Sequence, residues 1–178
     1  MKLPTARALQ NIKLEIYYFP DDGMFPNSVL PVIHYVDVLP IKFWRNAKRF
    51  EQLFSSNGWH CQWRNTVYDY NHYHSNTHEL IGVYKHEAMI SLGGEKGASI
   101  LLKPGDAMLI PAGVAHKNLT PENDLKCVGA YPFPVKFDMN YGKTGERPDT
   151  DKRIAQLPIP ASDPIYGNAG PLMKHWKL

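Results

Sequence analysis

The sequence predicts an all-β protein, organised as a β-sandwich or a small β-barrel. Its 15 prolines and 13 glycines are scattered along the whole chain and are not gathered in one linker. Between residues 89 and 131, short apolar segments separated by turn residues recur roughly every ten residues, which is the spacing of strands in sandwiches and small barrels. Only one longer segment, residues 43–56, has helical periodicity. These observations favour a β-rich fold with a single helix near its N-terminal side.

Composition and charge exclude several classes of protein. The chain has 178 residues, which suits one domain, and a formal net charge of +3, which is too small to indicate a nucleic-acid or membrane-surface partner. Cys61 and Cys127 are the only cysteines, so we expect free thiols in a reducing compartment. No stretch reaches the roughly 18 apolar residues of a membrane span, and the first residues lack the apolar region of a signal peptide. We therefore expect a cytoplasmic protein with no membrane and no nucleic-acid partner.

The first part of the chain is predicted to contain two strands and the helix. Residues 14–19 form an apolar strand that ends at a Pro-Asp-Asp-Gly turn, and a second strand lies within residues 29–39. His34 lies in the apolar centre of that strand, where a histidine is more often a buried structural residue than a ligand. The helix, about 43–56, carries one apolar stripe and ends before an Asn-Gly pair. The stripe consists of Phe43, Ala47, Phe50, Leu53 and Phe54.

The rest of the chain is predicted to form the barrel and a tail, with residues 1–178 making one domain. The barrel core spans about residues 59–138. From about residue 139 to 178 the chain shows no period, but it keeps more apolar side chains than a free linker has. We expect this part to be an extended tail laid over the barrel. The predicted core strands are 59–67, 88–92, 98–102, 107–110 and 125–131.

Residues 70–84 carry the strongest functional signal. His72 and His74 lie two positions apart, so on a strand both imidazoles point to one face. The Ser-Asn-Thr sequence that follows favours a turn, and a reversal there brings Glu79 back beside His74. Imidazole and carboxylate groups bind divalent transition metals, and two histidines with one carboxylate is the arrangement of non-haem iron sites.

A second segment, residues 105–116, supplies a candidate for a fourth ligand, His116. Together the two segments read H-x-H-x(4)-E and G-x(5)-P-x-G-x(2)-H, which resembles the paired motifs of the cupin superfamily. Two positions depart from that pattern. His86 stands where the first motif usually closes with Gly, and Thr120 stands where the second usually ends in Asn. The matched residues are His72, His74, Glu79, Gly105, Pro111, Gly113 and His116.

Further segments narrow the resemblance to the small single-domain bacterial cupins of the YjlB type. They include His-Tyr-His-Ser-Asn-Thr-His-Glu, Ile-Pro-Ala-Gly-Val-Ala-His-Lys and Asp-Pro-Ile-Tyr-Gly, and the likeness runs from about residue 17 to 176. It implies a double-stranded β-helix, the RmlC-like cupin jelly-roll barrel, with one N-terminal helix and an extended C-terminal tail. Barrels of this type are dimers by default, so we expect a homodimer in which the strand at 30–35 is paired or swapped between chains.

Several residues near the motifs have roles that the sequence leaves open. His78 neighbours Glu79, so on a regular strand it points the opposite way. A bulge would make it an alternative ligand in place of His72, and otherwise it would orient a ligand through a hydrogen bond. His86 is expected to be solvated. Four tyrosines are candidates for lining a substrate pocket and are equally plausible as core residues: Tyr68, Tyr70, Tyr84 and Tyr131.

The predicted site holds one divalent transition metal, iron, manganese, nickel or zinc, and leaves at least one coordination position open. The leading interpretation is a metal-dependent enzyme, of oxygenase or isomerase type, that acts on a small polar molecule. The alternative is a non-catalytic cupin that binds or senses a small molecule in the same pocket. A third interpretation, a metal-free sugar-nucleotide epimerase with a histidine base, is disfavoured because Glu79 lies among the imidazoles.

Overall fold

The computed structural model describes residues 12–39 and 46–177, and within them the fold is mostly β. Helix α1 covers Asn46–Ser56, α2 covers Asp149–Gln156 and the one-turn α3 covers Pro171–His175. The strands are β1 (Lys13–Phe19), β2 (Ser28–Val36), β3 (His60–Asn65), β4 (Glu79–Lys85), β5 (Ala88–Leu92), β6 (Ala98–Leu102), β7 (Ala107–Ile110), β8 (His116–Asn118) and β9 (Lys126–Tyr131).

The strands form two antiparallel sheets. The larger sheet has six strands in the order β1-β2-β7-β4-β9-β3, and the smaller has three in the order β6-β5-β8. Among the described residues the sheets do not join into a closed barrel, which corrects the closed barrel predicted from the sequence. The arrangement is that of a jelly roll, in which two sheets pack face to face and each keeps its own edges.

The strand at 30–35, which was predicted as a dimer contact, pairs within its own chain in this structure. Strand β2 pairs with β1 on one side and with β7 on the other, both from its own chain. On the β7 side this pairing covers Ile33, His34 and Tyr35, and a dimer contact through the strand stays a prediction. The homodimer itself stays a prediction.

Both faces of the large sheet are buried along its central strand β4, and this explains why residues 80–83 read as an apolar run. Ile81 and Val83 face the small sheet, where they pack with residues of β5 and β6. Leu80 faces the other way, towards α1 and the C-terminal segment. Gly82 lies on that second face, where a Cβ atom would come within 2.8 Å of the rings of Phe50 and Phe54. The glycine lets the helix approach the sheet.

Helix α1 matches the prediction in the part that the structure describes. Phe50, Leu53 and Phe54 are buried against the large sheet, so the apolar stripe is the packing face. The helix ends at Ser56, and Gly58 takes the left-handed conformation (φ +80°) that closes many helices. The first predicted residues, including Phe43, lie outside the described residues.

The C-terminal segment is not the extended tail that the sequence predicted, because it contains α2 and α3. Helix α2 places Asp149 and Asp151 in its first turn and Arg153 in its last, which favours the helix dipole. The segment does cover the large sheet as expected, since Ile165, Leu172 and Trp176 belong to the core beneath α1. The prediction that the chain forms one domain stays a prediction. No helix in the described part of the chain is long and apolar enough to cross a membrane.

Candidate metal centre

The two sequence motifs meet at one place in the fold. His72 and His116 form an antiparallel bridge, with the His72 N–H 3.2 Å from the His116 carbonyl oxygen and the His116 N–H 2.9 Å from that of His72. His72 and Tyr73 form isolated bridges, and His74 forms none, so the segment is not the regular strand that was predicted, but the alternation of side chains persists. Tyr73 packs on Phe25 in a separate small cluster, while His72 and His74 face a cavity.

Four predicted side chains lie together in this cavity. His72, His74 and His116 are buried, and each offers a ring nitrogen within 4.8 Å of the other two, so the three can hold one metal ion. Glu79 is the first residue of β4 and is also buried. Its Oε2 lies 3.1 Å from His116 Nε2 and 3.5 Å from His74 Nε2. The turn at 75–77 therefore brings the carboxylate back to the imidazoles.

The three imidazoles are held in the same tautomer. His72 Nδ1 lies 3.0 Å from the carbonyl oxygen of Tyr70, and His116 Nδ1 lies 3.1 Å from that of Val114. His74 Nδ1 bonds the carbonyl oxygen of Asp138. A carbonyl only accepts, so each Nδ1 carries the proton and each Nε2 keeps a lone pair. Histidines that bind a metal usually donate the N–H of their other ring nitrogen to a carbonyl, a carboxylate or water in this way.

A cation fits the donor set. His116 Nε2 is buried and has no hydrogen-bond partner, although Glu79 Oε2 is only 3.1 Å away. Two ligands that each lie about 2.1 Å from one cation and about 90° apart are about 3 Å from each other. The spacing of this nitrogen and oxygen is therefore that of two ligands on a shared ion.

The electrostatics of the cavity keep His72 neutral and Glu79 ionised, whereas they raise the pKa of His74. Burial, helped by the neighbouring His116, lowers the pKa of His72 to about 3, which keeps the imidazole neutral. Burial alone would raise the pKa of Glu79, but the His74 and His116 rings outweigh it and hold that pKa well below its usual value. Burial would lower the pKa of His74, but Glu79 outweighs it and raises that pKa. A neutral imidazole and an ionised carboxylate are the forms that bind a metal.

Tyr131 holds the other carboxylate oxygen. Its hydroxyl donates to Glu79 Oε1 at 2.9 Å and accepts from Trp63 Nε1, also at 2.9 Å. The hydrogen bond fixes the carboxylate with Oε2 towards the imidazoles. The sequence left Tyr131 open between the pocket and the core, and the structure places it in the core with its hydroxyl on a candidate ligand.

A second supporting group, Asp138, was missed by the sequence analysis. Besides its carbonyl contact with His74, its carboxylate accepts from the Ser75 N–H at 2.7 Å and from the Ser75 hydroxyl. Arg153 of α2 donates to the Ser75 hydroxyl oxygen at 2.7 Å. Asp138 lies in a Pro- and Phe-containing segment without periodicity, more than 60 residues from Ser75, so no sequence signal pointed to it.

The cavity beside the imidazoles is small, about 110 Å³, and mostly apolar. Of the tyrosine candidates, Tyr68 lines it, and Tyr70 stacks on Tyr68 at 5.0 Å and is partly exposed. For Tyr84 the structure favours the second role that the sequence left open, because residues at odd positions of β4 face the cavity side and Tyr84 packs against the core under α1. The lining residues are Trp63, Asn65, Thr66, Val67, Tyr68, His72, His74, Glu79, Ile81, His116 and Phe137.

The other histidines lie away from the cluster. His78 neighbours Glu79 and points the opposite way, where its Nδ1 accepts from the Ala112 N–H at 3.1 Å and its ring packs on Trp176. Burial lowers its pKa to about 4. These contacts correct both predicted roles of His78, as an alternative ligand and as a residue that orients one.

His34 and His86 agree with the sequence analysis. His34 is buried in β2 between Glu15 and Asp106, at 3.3 and 3.1 Å. His86 is exposed and has φ +56°, in the left-handed region that favours glycine. This conformation gives a physical reason for the Gly that usually closes the first cupin motif.

Comparison with known proteins places the chain in a family. No family model matches it. Over 163 residues it is 44% identical to a protein of Bacillus subtilis (strain 168) described as "Uncharacterized protein YjlB", covering 91% of this chain and 96% of the relative. The chain belongs to the YjlB family of cupins. The resemblance noted in the sequence is thereby confirmed over nearly the full length of both proteins.

The chain also shows weak similarity to solved structures, with TM-scores below 0.5. Acireductone dioxygenase from Bacillus anthracis, with a cadmium ion in its active centre, is 12% identical over 75% of this chain and 84% of its own, with a TM-score of 0.39. A DUF861 family protein from Thermotoga maritima is 19% identical over 50% and 91%, with a TM-score of 0.30. The epimerase RmlC from Legionella pneumophila is 19% identical over 67% and 71%, with a TM-score of 0.31.

Proposed function

We propose that this cupin binds one divalent transition metal through His72, His74, Glu79 and His116 and uses it to act on a small molecule. The observation that supports the proposal is the shared orientation of the rings: all three imidazoles have Nδ1 on a carbonyl and offer ring nitrogens within 4.8 Å of one another, and the Nε2 atoms of His74 and His116 lie 3.5 and 3.1 Å from Glu79 Oε2. Iron, manganese, nickel and zinc all accept imidazole and carboxylate ligands.

Four protein ligands leave room for a substrate. A six-coordinate metal held by four side chains keeps up to two positions for water or substrate, as catalytic sites require. A metal bound here would supply a Lewis acid or, in the case of iron, activation of oxygen, which are the chemistries of an isomerase and an oxygenase. Trp63, Tyr68 and Phe137 line the adjoining cavity, where they exclude water and confine the bound molecule.

Turnover by the metal-loaded protein tests the enzymatic part of the proposal. We would follow oxygen uptake and substrate consumption with a panel of thiols, keto acids and sugars. We expect turnover with at least one class, its loss in His116→Ala, and normal turnover in His86→Ala, which changes an exposed histidine outside the cavity. Tight binding of one class without turnover would instead identify a binding or sensor protein.

A further inference from the structure

We infer that the substrate is a compact molecule that binds the metal through its own donor atoms and carries no second charge on the rest of its body. The inference rests on the proposed metal site and deepens it by naming a substrate class. Three features of the cavity carry it: its volume, the absence of a partner for a second charge, and the aromatic rings beside the ligands.

The volume limits the size of the substrate. The cavity has a volume of about 110 Å³. Pockets for drug-sized ligands are several times larger, on the order of 300–1,000 Å³. The cavity therefore accepts a compact molecule or one end of a longer one, and it is too small to enclose a sugar nucleotide.

The lining offers no partner for a second charge. Apart from the metal-binding group, the described residues that line the cavity are aromatic, aliphatic or neutral polar, and none is a lysine, an arginine or a further carboxylate. A charged group that leaves water needs an opposite charge or several hydrogen bonds. Asn65 and Thr66 supply only neutral hydrogen-bonding groups, so a carboxylate or ammonium placed deep in the cavity would lack a partner.

Aromatic rings frame the predicted metal position. Phe137 makes an edge contact with His74 at 5.0 Å and stacks on Tyr131 at 5.4 Å. Tyr68 makes an edge contact with His72 at 5.3 Å. A substrate held on the metal between these imidazoles contacts ring surfaces, which favour an apolar or flat body over a charged one.

A pair of probes of equal size tests whether the cavity disfavours a second charge on the bound molecule. Succinamohydroxamic acid and succinic monohydroxamic acid share a metal-chelating hydroxamate and differ in a terminal amide or carboxylate. We would first measure the metal content and then titrate both probes into the metal-loaded protein by calorimetry. We expect the neutral amide to bind at least tenfold tighter than the carboxylate.

A substitution in the cavity lining tests whether the lining causes the preference for the neutral probe. Thr66 makes only a weak side-chain contact, at 3.4 Å, so it is open to substitution. Thr66→Lys places a cation in the wall and is expected to abolish or reverse the preference for the amide. Thr66→Gln, of similar length and neutral, is expected to keep it.

The outcomes separate this inference from the proposed function. Protein without metal would overturn the proposed function and the inference with it. Stoichiometric metal with equal binding of the two probes, tighter binding of the carboxylate, or binding of neither would overturn the substrate class and leave the metal site standing. A preference for the amide that Thr66→Lys does not change would also overturn it, because the wall would then not be its cause.

Discussion

At the scale of single residues, the orientation of one carboxylate decides the geometry of the site. Glu79 has two oxygens, and Tyr131 takes one of them in a hydrogen bond while the other faces the imidazoles. Without that bond the carboxylate is free to rotate, and Oε2 is no longer held towards the imidazoles. The hydroxyl of Tyr131 would thus orient Glu79 as a ligand of the proposed metal.

Tyr131→Phe tests this role. Removing the hydroxyl releases Glu79 Oε1, and we expect metal affinity to fall roughly 10- to 100-fold, as it does when a group that supports a ligand is lost. The measurement is a competition titration against a chelator of known affinity. Tyr84→Phe, under α1, is the matched control and should bind metal as tightly as the wild type. Unchanged affinity in Tyr131→Phe would show that the hydroxyl does not position the ligand.

The sequence could predict which side chains of the site share a face, because side chains alternate along an extended chain. His72 and His74 share a face, and His78 points away from Glu79, because alternation needs only local geometry. The same rule, applied from Glu79 along β4, would have excluded Tyr84. The hydrogen-bond partners of Glu79 and His74 could not be predicted from the sequence. Tyr131 and Asp138 reach them through tertiary contacts, which no local sequence pattern encodes.

At the scale of secondary-structure elements, the C-terminal segment is tied to the large sheet by one buried carboxylate. Asp163 accepts from the Tyr35 hydroxyl at 2.7 Å and from the N–H groups of Ile165, Tyr166 and Leu172 at 2.8–2.9 Å. Hydrogen bonds to a charged group are among the stronger ones, and losing their acceptor leaves buried donors unpaired.

Asp163→Ala is therefore expected to lower the free energy of unfolding by about 3–5 kcal/mol. Urea denaturation measures the change. Asp149→Ala removes an aspartate whose ion pair with Lys152 is exposed, and it should change stability by no more than about 0.5 kcal/mol. Similar values for the two variants would show that Asp163 does not fasten the segment.

Helix α2 also supports the candidate metal centre. Arg153 bonds the Ser75 hydroxyl oxygen and lies 3.7 Å from Asp138, whose carbonyl holds His74. Tyr131 bonds the candidate ligand Glu79 directly, whereas Arg153 acts on His74 only through Ser75 and Asp138. We therefore expect Arg153→Ala to weaken metal binding by a smaller factor, roughly 3- to 10-fold. Lys152→Ala, the adjacent exposed position, should leave metal affinity unchanged. If the two variants had equal metal affinities, α2 would not be a support of the metal site.

The elements that the sequence missed are short. An eight-residue and a five-residue helix offer too few turns for an apolar period to stand out, and α2 is stabilised by its charges and by contacts with the 72–76 segment. The longer α1 and most of the strands carried enough local pattern to be predicted. The separation into two sheets needed the pairing partners, which depend on contacts between distant segments.

At the scale of the whole molecule, the predicted homodimer is open to a direct test. Leu14, Tyr18, Met24 and Val29, all on or between β1 and β2, are exposed apolar residues, and Val29 is 80% exposed. Apolar side chains gathered in one region often mark a contact with another chain. We expect light scattering to give twice the chain mass of 20.3 kDa.

Val29→Lys is expected to shift the protein to the monomer, because a lysine in an apolar contact would have to be buried. Leu119→Lys, which changes an exposed leucine elsewhere on the surface, should leave the mass unchanged. A monomeric wild type, or a Val29→Lys variant that stays dimeric, would argue against this contact.

Elemental analysis of the protein, purified without a chelator or a histidine tag, tests the central claim most directly. We predict close to one equivalent of a divalent transition metal per chain in the wild type and in His86→Ala, and its loss in His74→Ala and His116→Ala. Wild-type protein that takes up no metal, or the two cavity variants retaining it in full, would contradict the account.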